Sequence, residues 1–247
     1  MGKKQKHCDP SRPEDAEQGD CWDHVAFDPE HRLVVSVVVG KRTETHAHQV
    51  VHEFRERTDG RPINLMTSDE YPVYASAIST VYAESEAMPA ARTTPEAGPQ
   101  LPDWLVYATV HKIREQNRVV KVETRLVFGM LVSLAAALLW SAVSWCVNTV
   151  FVERVNGTDR GQNSRKVRKT YRFSKDWGVH AAMTYFTMYS YNFCWCVRTL
   201  REQIGPRRYR PRTPAMAAGL ADHVWSLEEW LLFPSSNRHK IPPMSPK

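Results

Sequence analysis

From residue 22 onward, apolar and polar positions alternate in a way that predicts short strands interleaved with helices. Trp22–Asp28 and Leu33–Gly40 are Val-rich runs on either side of Pro29-Glu30-His31-Arg32, the pattern of a strand, a tight turn and a returning strand. Thr43 stands where a helix cap belongs. Ala47, Val50, Val51 and Phe54 then recur at helical spacing until Asp59-Gly60-Arg61-Pro62 ends the helix. Residues 63–67 form an apolar run that predicts a short buried strand leading to Asp69, and Tyr71, Tyr74, Ile78 and Tyr82 predict another helix. The stretch 84–102, rich in Pro, Ala and Glu, predicts a mobile loop. Residues 104–111 and 118–128 carry alternating β-branched residues and read as two strands around a polar turn at Gln116-Asn117.

Residues 126–152 carry no charge over 27 positions. A membrane span needs only about 20 apolar residues, so the run is long enough, and the Lys and Arg excess after it would leave that side cytoplasmic. Gly129, Ser133, Ser141, Ser144, Asn148 and Thr149 spread polarity through it. They favour a division into the end of a strand, a buried helix over 130–144 and a strand leading to Glu153.

Beyond Arg154 the chain is basic, and Gly157 and Gly161 weaken its helical pattern. Ser174 or Asp176 can cap a helix running through Tyr191. Its aromatic residues, Trp177, Phe186 and Tyr189 among them, could stack on bases, although aromatics at helical spacing more often belong to a core. Arg207, Arg208, Arg210 and Arg212 among Pro206, Pro211 and Pro214 read as a linker, 220–232 as a last helix, and the residues after Pro234 as a disordered tail. The organisation is thus a flexible polar arm (1–20), a core (21–200), and a basic linker with a short helix and tail (201–247).

Two carboxylates carry the candidate chemistry. Asp69 follows the apolar run 63–66, and Glu153 follows residues 147–152. On spacing alone each could be an ordinary acid at the end of an element. An Asp and a Glu far apart in sequence, each delivered by an apolar element, are also what a divalent-metal site for phosphoryl transfer needs, since hard cations take carboxylate oxygens.

Taken in order, residues 22–36, Gly40-Lys41-Arg42-Thr43, Thr67-Ser68-Asp69-Glu70-Tyr71, Phe151-Val152-Glu153-Arg154 and Arg168-Lys169-Thr170 resemble the DDE transposases of the insertion-sequence-one type, over roughly residues 2–195. The resemblance implies an α/β (α+β) ribonuclease-H-like core, a mixed sheet flanked by helices, that cuts and joins DNA strands with Mg²⁺ or Mn²⁺. It implies that Asp69 and Glu153 are the second and third catalytic carboxylates and metal ligands. In the family the first carboxylate lies on the opening strand, upstream of a Lys-rich turn; here Gly2-Lys3-Lys4-Gln5-Lys6 follows Met1 directly. The expectation is therefore a core that lacks its first strand and is impaired in catalysis, with Asp28 as a substitute carboxylate. The unpaired edge would be prone to association, making a homo-oligomer an expectation.

Charge agrees with a nucleic-acid partner. Formal net charge is +6, and residues 154–175 hold eight Lys or Arg against one acid, Asp159, a net of +7 in that segment. Arg154, Arg160, Arg165, Lys166, Arg168, Lys169 and Arg172 are the candidate DNA contacts, to the backbone of element ends and target rather than to bases. A solvated basic helix is the plainer account of the same charges. The five cysteines are odd in number and form no C-x-x-C pair, which argues against a disulfide framework and fits a reducing cytoplasm better. His7, Cys8, Cys21 and His24 have irregular spacing for a zinc knot. Three functions compete: a transposase remnant, a single-pass membrane protein spanning about 126–147 with a basic cytoplasmic tail, and a non-catalytic nucleic-acid-binding module.

Overall fold

A computed structural model describes residues 5–9, 11–15, 18–83, 101–116, 118–167 and 171–234. Most of the loop expected at 84–102 and all of the tail expected after Pro234 lie outside the described residues. The chain divides into two compact units, Met1–Met188 and Tyr189–Lys247.

In the first unit, β1 (Trp22–Asp28) and β2 (Leu33–Gly40) form the antiparallel hairpin that the Val-rich runs predict, with Trp22 opposite Gly40 and Asp28 opposite Leu33. Helix α1 (Glu44–Arg57) follows from Thr43 and buries Ala47, Val50 and Val51. Strand β3 (Met66–Asp69) leads to α2 (Val73–Ala83). Strand β4 (Tyr107–Glu115) pairs parallel to β3 and antiparallel to β5 (Arg118–Phe128), so this sheet is mixed. Period-two alternation divides β4 between two cores. Tyr107 joins Met66, Val38 and the buried faces of α1 and α2. Val106, Ala108 and Val110 point the other way, where Leu134 of α3 (Leu131–Trp140) and Val147 cover them. The molecule is thus a mixed α/β fold with helices against its sheet.

The strands do not form one sheet. β1–β2 and β3–β4–β5 are separate, and among the described residues no strand pairs with the outer edge of β1 or of β3. Yet Ala26 of β1 and Met66 of β3 pack on the same α1–α2 core.

The uncharged run is broken by geometry. β5 ends at Phe128, Gly129 takes φ +91, and α3 is only ten residues long, about 15 Å against the roughly 30 Å of a bilayer core. No helix among the described residues is long and apolar enough to cross a membrane. The expected strand before Glu153 is absent as well. Asn148 Oδ1 accepts from the Val150 amide and the Glu153 amide donates to the Thr149 carbonyl, so α4 (Val150–Gln162) starts there with Glu153 in its first turn. An acid at that position meets the positive end of the helix dipole.

The arm expected to be loose contains two short 3-10 turns, and Asp15 is buried, accepting from the Asp9 amide. Of the two candidate caps, Asp176 starts α5 (Trp177–Cys194) by accepting from the Val179 amide. The division between the two units falls within α5.

The second unit is folded where a linker was expected. Residues Glu202–Gly205 (β6) and Arg208–Arg210 (β7) make a short hairpin. Thr213 caps α6 (Pro214–Ala217), with Pro at its first turn, and Ser226 caps α7 (Leu227–Leu232), shorter than the expected 220–232. Trp225 packs between Phe193 and Phe233, with ring centroids 4.7 and 4.8 Å away.

Candidate functional site

Asp69 ends β3, in register with Val110 of β4. Neighbours across a parallel pair share a face, so Asp69 lies on the Val110 side of the sheet. Lys112, two residues farther along β4, lies on that same side. Its Nζ donates to Glu153 Oε1 (2.6 Å) and to Thr149 Oγ1 (3.3 Å), and Thr149 Oγ1 donates to the same Glu153 oxygen (2.8 Å). Glu153 is thus tied to the sheet face on which the register sets Asp69, 84 positions away in sequence, while Asp69 itself contacts Arg42 and the Tyr71 amide, and no hydrogen bond or ion pair among the described residues links it to Lys112 or Glu153. The Lys112 and Thr149 hydrogen bonds hold the Glu153 carboxyl below its ordinary value, outweighing the small opposing effect of burial.

Each carboxylate at this end has a cation beside it. Arg42 reaches to 4.0 Å from Asp69 and is itself stacked against Tyr71 and Trp22, 4.2 and 4.9 Å from the ring centroids. Glu70 contacts His111 and is bridged by Arg125 at 2.8 Å. Sequence reading did not find Lys112, His111 or Arg125. The signal was there in the alternation of β4, but the register that sets Lys112 one step beyond Asp69 is not written in either strand alone.

Asp28 lies elsewhere. Its Oδ1 accepts from the Glu30 and His31 amides, and its Oδ2 contacts His31 Nδ1 at 2.5 Å, so the side chain serves the β1–β2 turn. The oxygens of Asp69 and Glu153 are the hard donors that Mg²⁺ or Mn²⁺ takes. However, they are two rather than three, each faces a positive side chain, and Asp28 is held in its own turn. Among the described residues, no three His, Cys, Asp or Glu side chains are grouped so that they could hold a metal ion. That includes the His7–His24 set: His24 is buried and bonds Tyr74 and the Lys41 carbonyl instead.

The basic segment splits into two kinds of residue. Arg154, Arg160, Arg165 and Arg172 are exposed. Lys166 is not: its side chain is 6% exposed, with Nζ 2.5 Å from Asp159 and 2.9 Å from Asp23. Arg168 and Lys169 lie outside the described residues. Arg165, Arg172 and Lys175 line an open depression of about 420 Å³ together with Phe173 and Tyr171, a ring 98% exposed. Three cations beside a free aromatic face suit a sugar–phosphate backbone with an unstacked base beside it.

Comparison of the chain with protein-family models, with curated proteins and with solved structures gives no match in any of the three.

Proposed function

We propose that this chain is a DNA-binding, catalytically impaired core of a DDE transposase of the insertion-sequence-one type, with a ribonuclease-H-like arrangement in which the described residues lack one strand. The observation that carries the reading is that Asp69 ends a parallel strand on the sheet face from which Lys112 reaches Glu153, in the first turn of a helix. The divided sheet supports it: a strand lying between the free edges of β1 and β3, over the α1–α2 core they share, would join the two sheets. Such a strand is also where the family carries its first carboxylate.

Within this reading Arg165, Arg172 and Lys175 hold the DNA backbone, and Arg154 and Arg160 extend the same charge along α4. Lys112 and Thr149 orient Glu153, and Arg42 orients Asp69. Mg²⁺ or Mn²⁺, held by Asp69, Glu153 and a third ligand, would activate the attacking hydroxyl and stabilise the leaving oxygen. Because such a reaction depends on placement within about 1 Å, two ligands without the third leave little activity.

The test is Mg²⁺- or Mn²⁺-dependent strand transfer on duplexes carrying element ends. The chain is run beside a version preceded by a family member's opening strand. The expected result is activity in the extended version alone, lost on Asp69→Asn or Glu153→Gln. Activity that survives either change would overturn the assignment. Robust activity of the short chain, lost on Asp28→Ala, would make Asp28 the first carboxylate. Duplex binding without strand transfer in either version would leave a non-catalytic nucleic-acid-binding module.

A further inference from the structure

The C-terminal unit concentrates positive charge on its hairpin. Between residues 198 and 212 there are six arginines, Arg198, Arg201, Arg207, Arg208, Arg210 and Arg212, and one acid, Glu202. None of the six forms an ion pair with a described residue. Two of them serve the fold: Arg210 donates to the Asp222 carbonyl (2.8 Å) and Arg212 to the Met216 carbonyl (3.1 Å). The other four are exposed and have no anionic partner among the described residues.

Arg198 and Arg201 line, with Thr199, an open depression of about 520 Å³. Arg201 is already oriented, its guanidinium 4.0 Å from the centroid of the Tyr209 ring, which is 44% exposed. Two guanidinium forks and a hydroxyl are a donor set for phosphate oxygens, and stacking on tyrosine reduces the conformational freedom Arg201 must lose when it binds. Arg207, at the turn with φ +56, and Arg208 carry the charge to the tip.

We propose that this hairpin is a second DNA-binding surface, in which a backbone phosphate of duplex DNA seats in the Arg198–Thr199–Arg201 depression beside Tyr209. It rests on the reading of the chain as a DNA-binding protein, but not on the surface at Arg165 and Arg172. Duplex DNA is favoured over duplex RNA because a two-stranded ribbon enters the major groove of B-form DNA, whereas the A-form major groove is too narrow for side chains to read.

The test is fluorescence anisotropy of the full chain with unrelated DNA duplexes at varied salt. Arg198→Ala with Arg201→Ala should lower the slope of log affinity against log salt by about 2, a difference of roughly tenfold between 50 and 200 mM. Arg201→Lys should keep the slope but not the full affinity, because an ammonium neither forks nor stacks like a guanidinium. If the double variant fails to fold, Arg198→Gln on its exposed 3-10 turn should lower the slope by about 1. An unchanged slope in these variants, with loss in Arg165→Ala/Arg172→Ala, would overturn the hairpin surface and leave the DNA reading intact. No duplex binding by the unaltered chain would overturn both. Equal competition by an RNA duplex would remove the groove argument. So would binding to phosphatidylserine vesicles that depends on Arg198 while duplex binding does not, and it would assign the hairpin to lipid.

Discussion

Lys166 is held between Asp159, which is 4% exposed, and Asp23, and Thr187 Oγ1 donates to the other Asp159 oxygen at 2.5 Å. Removing one partner of a buried pair leaves an uncompensated charge, at a cost of about 3–5 kcal/mol. Lys166→Met should lower stability by about that much in urea denaturation, and adding Asp159→Asn should recover much of it. Burial pushes the Asp23 carboxyl upward, but Lys166 at 2.9 Å and His180 at 3.5 Å outweigh it and hold the group below its ordinary 3.8. A depressed carboxyl stabilises the fold above its unfolded value and loses that contribution as pH falls through the folded one. Melting temperature should therefore drop below about pH 4, and drop less in Lys166→Met, where Asp23 has lost its nearest cation. Glu153 is shifted the same way by Lys112 and Thr149, but it is 56% exposed and solvent screens the pair.

At the level of elements, Gly129 decides the fate of the uncharged run. Its φ of +91 disfavours any side chain, and a Cβ there would sit 2.8 Å from the Leu105 carbonyl oxygen. Gly129→Ala should cost about 1–3 kcal/mol in equilibrium denaturation. A cost near zero would mean that the turn between β5 and α3 is not as described. The divided sheet has its own consequence. In hydrogen exchange the β4 amides of residues 107–110, flanked on both sides, should be the slowest of the strands, while β1 and β3, each with one edge unpaired among the described residues, exchange faster. A peptide strand that joined the two edges would slow both together.

For the molecule as a whole, the charge is concentrated in residues 154–175 and in the C-terminal hairpin. If Arg154, Arg160, Arg165 and Arg172 each meet one phosphate, affinity for unrelated duplexes should fall about 100-fold between 50 and 200 mM salt. An affinity flat over that range would remove the phosphate-contact account. Lys166→Met should leave the slope unchanged wherever the protein still folds, because its charge is already matched inside.

The sequence by itself determined the local elements. Val-rich runs around Pro29-Glu30-His31-Arg32 can do little but form a hairpin, and the spacing of Ala47, Val50 and Val51 marks the buried face of α1. These are short-range consequences of side-chain periodicity. Other outcomes depended on partners distant in the chain. A span over 126–152 competed with the favoured division until Gly129 and the Asn148 turn broke the run, and Glu153 appeared at a strand end because the turn at Asn148 that starts α4 is not a periodic signal. Lys166 looked like its exposed neighbours because charge patterning cannot tell which of several cations faces inward; Asp23, more than a hundred positions away, decided that. The Arg- and Pro-rich stretch read as a linker because its hairpin is held by the Asp222 and Met216 carbonyls rather than by an apolar pattern. Only tertiary structure could tie Glu153 to the sheet face that carries Asp69, because the register of β3 on β4 and the reach of Lys112 to α4 are set by packing between elements.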